Sequence, residues 1–183
     1  MVERRVKRGA LREQAKPTGV GTTRPARGAA RRISVKIRRV RPADIPLVTA
    51  LDRRVTGIGK ARYWQDIFER YGRRRMRERF FLIAEPLEAT KGPKFLGFII
   101  GEVRAWEFGS GPCGWIFALS VEPGTRLQGI GEALFNAISA EFKRAGVTKL
   151  RTMVARDNPL HMLYFRGQGM TAGPYIQLEK ELD

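Results

Sequence analysis

The order of apolar and polar residues divides the chain from residue 33 onward into segments of strand and helix. Residues 33–40 alternate apolar and polar side chains, which is typical of a half-buried strand. Asp44 then caps a stretch whose apolar residues recur at helical spacing, and a second helical stripe covers residues 61–77. The chain therefore opens with one strand and two amphipathic helices.

The remainder of the chain alternates short runs rich in β-branched and aromatic residues with glycine-bearing turns and two more helical stripes. The predicted strands are residues 79–84, 94–106, 114–121, 149–155 and 173–181. The predicted helices begin after Gly129 and at Asn158. This order, with only one or two short βαβ crossovers, predicts an α+β fold in α/β/α layers, with a mixed central sheet of six to seven strands and about four helices.

The formal net charge of +17 is unevenly distributed over the 183 residues. Residues 1–32 hold ten Lys or Arg and two Asp or Glu, so this segment carries +8, and it has few large apolar side chains. Such a composition cannot bury enough surface to offset its ordering entropy, which predicts a disordered basic tail ahead of a domain at residues 33–183. Two interpretations of the tail stay open: a weak contact with nucleic acid or another anionic surface, and a leader without a binding role.

Composition excludes several classes of protein. Hydrophobic residues make up 43% of the chain, enough for a buried core. The single Cys113 excludes an intramolecular disulfide and a multi-cysteine zinc site, and the single His161 removes any histidine pair, so we expect no metal. The longest apolar run, residues 95–101, is far below the roughly 20 residues of a membrane span. We expect a cytoplasmic protein without a transmembrane segment.

The segment 121–134 is the most informative stretch for chemistry. It joins the end of a predicted strand to the first turns of an amphipathic helix through a loop that contains Gly129 and Gly131. Free N–H groups at a helix start form an anion site, and glycine lets the backbone approach a phosphate closely. A Walker loop would need lysine where Ile130 stands, and a dinucleotide fingerprint would need glycine where Leu134 stands.

The hexapeptide Arg126-Leu-Gln-Gly-Ile-Gly131 does match another pattern. It resembles the (Gln/Arg)-x-x-Gly-x-(Gly/Ala) pyrophosphate-binding loop of the GNAT superfamily of acyl-CoA N-acyltransferases. Val121-Glu-Pro123 is similar to the Val-x-Pro strand exit of that family, and residues 158–170 resemble its later Asn-x-x-Ala-x-x-x-Tyr-x-x-x-Gly-Phe segment. The resemblance covers about residues 33–182 and implies an acetyl-CoA-dependent N-acetyltransferase that acts on a primary amine of a small molecule, peptide or protein.

The resemblance also implies where the cosubstrate acetyl-CoA binds. It places a cleft between the strand that ends at Val121 and a splayed neighbour that starts near Lys149. The pantetheine would pair with residues 118–121 like an added strand, and the pyrophosphate would rest on the amides of residues 127–132. The implied cofactor-binding residues are Leu119, Ser120, Val121, Arg126, Leu127, Gln128, Gly129, Ile130, Gly131, Glu132, Asn158 and Phe165.

The catalytic candidates are less well defined, because the sequence departs from the family pattern. Phe165 stands where the family has its tyrosine acid, and Tyr164 lies about 100° around the helix. Either Tyr164 acts as the acid after a local shift, or solvent protonates the thiolate and Tyr164 serves packing or the acceptor site. Glu102 is the first candidate base, ahead of Asp66 and Glu69, and surface charge is the competing interpretation for all three.

A function of another class is also compatible with the sequence. The chain could be a nucleic-acid-associated or regulatory binding module with a vestigial CoA site, in which the basic tail and the arginines of residues 70–77 make the contacts. A homodimer is a further expectation. The acceptor amine is not defined by any motif, because acceptor loops vary freely on one scaffold.

Overall fold

A computed structural model describes residues 32–88 and 92–182, so the predicted tail lies outside the described residues except for Arg32. The strands are β1 (Val35–Arg39), β2 (Arg79–Pro86), β3 (Gly97–Arg104), β4 (Cys113–Val121) and β5 (Leu150–Thr152). The helices are α1 (Ile45–Thr56), α2 (Ala61–Ile67), α3 (Ile130–Arg144) and α4 (Pro159–Gly167). No helix within the described ranges is long and apolar enough to cross a membrane.

The strands form one mixed sheet in the order β1-β2-β3-β4-β5. The first four are antiparallel to their neighbours, whereas β5 runs parallel to β4. The predicted α+β class, the mixed sheet and the four helices are therefore confirmed.

The predicted strand count of six to seven is wrong, since the described residues contain five strands. The missing strand is the one predicted at residues 173–181, where no regular structure forms. Its apolar face stays uncovered, with Ile176 82% and Leu178 86% exposed. Alternation gives a segment one apolar face, but a strand must also pair with the edge of a neighbouring strand. The neighbouring strand β5 has only three residues with which residues 173–181 could pair.

The sheet carries helices on both faces. α3 and α4 pack on one face around the buried Leu134, Ile138 and Phe142, and α1 and α2 cover the other. Phe142 meets Phe80 edge-to-face at 5.2 Å between ring centroids. It approaches the sheet so closely that a Cβ at Gly101 would lie 2.9 Å from its ring. This packing fixes the axis of α3 and with it the position of the loop that precedes α3.

The second predicted helix is shorter than expected. Its α-helical part ends at Ile67 and continues as a wider π-helical turn over Phe68–Gly72, rather than reaching Arg77. Arg75 has a φ of 51°, which a right-handed helix excludes. The arginine-rich end of the predicted segment offers no apolar face to bury, so tertiary packing does not extend the helix there.

A bulge interrupts β4 in its middle. Ile100 pairs with Ala118 while Gly101 pairs with Ile116, so Phe117 is an extra residue on β4. Ile116 packs on the α3 side of the sheet, whereas Phe117 and Ala118 both pack on the α1–α2 side. Bulges bend the strand that carries them and increase its twist. Pairing of β4 with β5 accordingly stops at Ile116, and a gap opens beside residues 117–121.

Candidate functional site

The gap beside β4 is lined by backbone groups that the sheet does not use. The N–H of Glu122 donates to the carbonyl of Leu96 at 2.9 Å, so this residue faces β3. In an antiparallel ladder, alternate residues point their N–H and C=O to opposite sides. Leu119 and Val121 therefore direct theirs into the gap, where an extended ligand can pair with them as an added strand.

The loop after β4 ends in a run of unused amides. Within the part of the chain that the structure describes, none of the N–H groups of residues 127–132 donates a hydrogen bond. The first amide to do so in α3 is that of Ala133, which reaches the carbonyl of Gly129 at 3.0 Å. Leu127 and Gly129 both have positive φ, 64° and 85°, which turns the chain into the helix. Six adjacent donors at the positive end of a helix dipole form a site for an anion.

Side chains around the loop differ in what they can contribute. Ile130 is buried in the core, so only its backbone can reach a ligand, whereas the side chains of Arg126 and Leu127 are exposed. Arg32 forms an ion pair with Glu132 at 3.3 Å between nitrogen and oxygen. The alkyl part of the Arg32 side chain passes close to Gly129. Arg32 thus adds positive charge beside the amides. The sequence places Arg32 in the tail, because no local pattern connects it to a loop so distant in the chain.

Tyr164 packs against the start of α3. Its hydroxyl donates to the carbonyl of Gly131 at 2.7 Å, and a Cβ at residue 131 would lie 2.9 Å from its ring. Burial, together with the negative charge of Glu132, raises the pKa of this hydroxyl above its usual range. The phenol therefore stays protonated and holds the first turn of α3, with its amides, at the mouth of the gap.

The comparison with protein families agrees with this geometry. The model of the acetyltransferase (GNAT) family matches residues 46–170. The chain belongs to the GNAT acetyltransferase family. Membership confirms the family suggested by the sequence motifs and the prediction of an acetyltransferase enzyme.

Solved structures share the GNAT fold at low sequence identity. One is the aminoglycoside N-acetyltransferase AAC(6')-Iy in complex with CoA, with 14% identity, a TM-score of 0.69 and coverage of 82% of this chain and 97% of that one. Another is glucosamine-6-phosphate N-acetyltransferase from Arabidopsis thaliana, with 20% identity, a TM-score of 0.64 and coverage of 82% and 99%. AAC(6')-Ih from Acinetobacter baumannii has 16% identity, a TM-score of 0.66 and coverage of 82% and 100%. No curated protein sequence matches the chain. The structural likeness establishes the fold alone.

Two residues implied by the GNAT pattern have structural contacts of their own. Asn158 caps α4, since its side-chain oxygen accepts from the amide of His161 at 3.1 Å. Phe165 is buried and lies 6.4 Å from Phe135 between ring centroids. Contact of Asn158 and Phe165 with a cofactor stays a prediction.

Glu102 lies on the α1–α2 side of the sheet, away from Tyr164. Its carboxylate accepts from the Tyr71 hydroxyl at 3.2 Å and from the Arg104 guanidinium at 3.1 Å. Tyr71 in turn packs against the bulged Phe117, with 4.9 Å between ring centroids and the two rings inclined by 60°. The fold therefore does not bring the two catalytic candidates together, but it links Glu102 to the point where β4 leaves β5.

The other acidic candidates are surface charges in this structure. Asp66 pairs with Arg70 at 3.0 Å and Glu69 pairs with Arg73 at 3.2 Å, one helical turn apart in each case; Asp66 and both arginines are exposed, and Glu69 is half-buried. In the described ranges, no three His, Cys, Asp or Glu side chains form a cluster that could hold a metal ion.

Proposed function

We propose that this GNAT chain is an acetyl-CoA-dependent N-acetyltransferase that moves an acetyl group directly from the CoA thioester to a primary amine. The observation that carries the proposal is the continuity of unused backbone donors. Leu119 and Val121 face the gap, and the six amides of residues 127–132 follow directly at its mouth. Pantetheine contains amides that can pair with a strand, and pyrophosphate is an anion that such a loop accepts.

The cofactor-binding residues of the proposal are those implied by the sequence, with Arg32 added because of its position beside the loop. Acetyl-CoA supplies the acetyl group and a thiol leaving group whose pKa is about 8.5. A backbone N–H in the splayed half of β4 stabilises the negative charge that develops on the carbonyl oxygen as the amine attacks. The proposal includes no metal and no covalent enzyme intermediate.

We assign the base to Glu102, acting through Tyr71. Of the three acidic candidates, Glu102 has the most shielded side chain, and it alone hydrogen-bonds a residue that contacts the bulge. Burial and the neighbouring carboxylate raise the pKa of the Tyr71 hydroxyl, which keeps it protonated as a link. An amine positioned near Phe117 could pass its proton along this link.

Tyr164 has a positioning role in this proposal rather than that of an acid. The thiol of CoA has a pKa of about 8.5, so its thiolate leaves without help from an acid. A residue that did act as a positioned acid would typically raise the rate about 10²- to 10⁴-fold. We therefore expect Tyr164→Phe to lower kcat less than tenfold. The lost bond to Gly131 frees the first turn of α3, so the KM for acetyl-CoA should rise about two- to tenfold, the effect of one hydrogen bond. Steady-state kinetics measure both constants, and a larger loss of kcat with unchanged KM would restore Tyr164 as the acid.

The function is tested by calorimetric titration of the full chain with acetyl-CoA, for which we expect micromolar affinity. Val121→Pro removes an N–H that faces the gap and is not used by the sheet, and Val121→Ala keeps that N–H as the matched control. One lost hydrogen bond corresponds to about 2- to 12-fold weaker binding of acetyl-CoA by the proline variant. Thermal unfolding of both variants checks the fold.

Release of the CoA thiol in the presence of a panel of small amines and peptides then identifies the acceptor. If the wild-type chain gives no heat with acetyl-CoA, the enzyme proposal fails and the module with a vestigial CoA site takes its place. The cytoplasmic location and the homodimer stay predictions from sequence.

A further inference from the structure

We call residues 122–129, between β4 and α3, the CoA loop. A second concave surface lies at the end of the sheet away from this loop. It is a cleft of about 1210 Å³ between the end of β1, residues 75–78, the end of β3 and the last turn of α3. α3 has 15 residues and begins at the CoA loop, so the helix separates loop and cleft by about 22 Å. The cleft is therefore separate from the loop that is proposed to bind CoA, although Glu102, the proposed base, is one of its lining residues.

Arginine is the most frequent residue in the lining of this cleft. The arginines are Arg39, Arg75, Arg77, Arg104 and Arg144. Four glutamates also line the cleft and pair with Arg39, Arg75, Arg104 and Arg144, so the lining keeps a net charge of +1. Arg77 and Arg74, which lies three residues earlier and outside the lining, are exposed and form no ion pair with any other residue that the structure describes. These guanidinium groups are available to the phosphates of a polyanion.

An exposed tryptophan lies in the chain between two lining residues, although it is not itself part of the lining. Trp106 is 77% exposed and has a φ of 63°, a backbone conformation that few non-glycine residues adopt. Its neighbours in the chain, Ala105 and Glu107, both line the cleft. Tryptophan is buried in most folded proteins, and strained residues cluster at sites that bind ligands. Arg75, which lines the cleft, has a positive φ as well.

We propose that this cleft binds single-stranded nucleic acid, with arginines on the phosphates and the Trp106 indole stacked on an unpaired base. Base stacking on an aromatic side chain beside a positive groove is the general mode of single-strand binding. A duplex hides its base faces, and an acidic peptide has no base to stack, so neither uses the indole. The net charge of +17 also favours a polyanion as the partner.

The test measures fluorescence anisotropy of labelled oligonucleotides of about 12 nucleotides, RNA and DNA, with the full chain. We expect Trp106→Ala to weaken binding at least fivefold and Trp106→Phe to restore most of the loss, as stacking requires. Arg77→Gln should reduce the slope of log affinity against log salt by about 0.7. Arg62→Gln is the matched control, because Arg62 is exposed at the start of α2, away from the cleft, and should leave binding unchanged.

Several results would overturn the proposal. If Trp106→Ala and Arg77→Gln bind as tightly as Arg62→Gln, basic residues elsewhere hold the oligonucleotide. If Trp106→Ala weakens a duplex as much as a single strand, the indole does not stack on a base. If polyglutamate of equal charge displaces the oligonucleotide, the cleft takes an acidic peptide instead. Acetyl-CoA titration and thermal midpoints of the variants should match those of the wild type, which separates this surface from the CoA site and from the fold.

Discussion

Gly129→Asp should weaken acetyl-CoA binding by at least a hundredfold. Residue 129 has a φ of 85°, and its amide lies among the six unused donors of the loop. An aspartate there places a carboxylate where the pyrophosphate is proposed to bind. Two unit charges at 4 Å repel by about 4 kcal/mol at an effective dielectric constant of 20, which is about three decades of affinity. Calorimetric titration with acetyl-CoA measures the loss.

Gly129→Asn is the matched control for this prediction. Asparagine has nearly the shape of aspartate and tolerates the left-handed backbone, but it carries no charge. We expect its affinity for acetyl-CoA to fall by no more than about tenfold, because left-handed strain of at most roughly 1–2 kcal/mol lets the free loop relax away from the binding conformation. A Cβ at position 129 would approach only the side chain of Arg32, at 3.8 Å, so both variants should fold. Equal affinities of the two variants would mean that no anion binds at this loop.

The CoA loop could be predicted from sequence because its determinants are local. A strand end, two glycines and an amphipathic stripe lie within residues 121–134, and each acts through its own backbone or helix face. The buried stripe of α3 and the positive φ of Gly129 follow from the same short segment.

Other parts of the site depend on partners that a local pattern does not contain. The bulge at Phe117 is defined by the register of β4 against β3, and the continuous apolar run of residues 115–119 gives no local sign of it. Arg32 and Tyr164 reach the loop from distant elements. The strand predicted at residues 173–181 has the right alternation but finds no paired edge in the described fold.

Arg38→Met should lower the free energy of unfolding by about 3–5 kcal/mol, as expected when one partner of a buried ion pair is removed. The Arg38 guanidinium donates two hydrogen bonds to Asp44, at 2.7 and 2.8 Å, and one to Glu85 at 2.7 Å. Asp44 is only 4% exposed, so the variant leaves its carboxylate without a cation inside the protein. In a chain of this size the thermal midpoint should fall by about 6–20 °C, measured by circular dichroism.

Lys36→Met is the control for this variant. Lys36 pairs with the same Glu85 at 3.6 Å, but its side chain is mostly exposed. Exposed pairs contribute about 0–1 kcal/mol, so this change on the same strand should be nearly neutral. A loss of stability as large as that of Arg38→Met would show that Glu85, rather than Asp44, is the group that needs the cation.

The pH dependence of unfolding separates the charge of Asp44 from the packing of Arg38. Burial alone raises the pKa of Asp44, but hydrogen bonds from the Arg38 side chain and the Arg41 amide, with the nearby positive charge, hold it below its usual range. Because the pKa of Asp44 is lower in the folded than in the unfolded state, its carboxylate stabilises the fold at pH values above the unfolded-state pKa of about 3.9. This contribution is lost as the pH falls below about 3.9 and through the folded-state pKa. Without Arg38, burial dominates, and the variant should gain stability as the pH falls towards 4. The difference in unfolding free energy between wild type and Arg38→Met should therefore be largest near neutral pH and shrink in acid. A difference that stays constant with pH would assign the whole effect to lost packing of the arginine side chain.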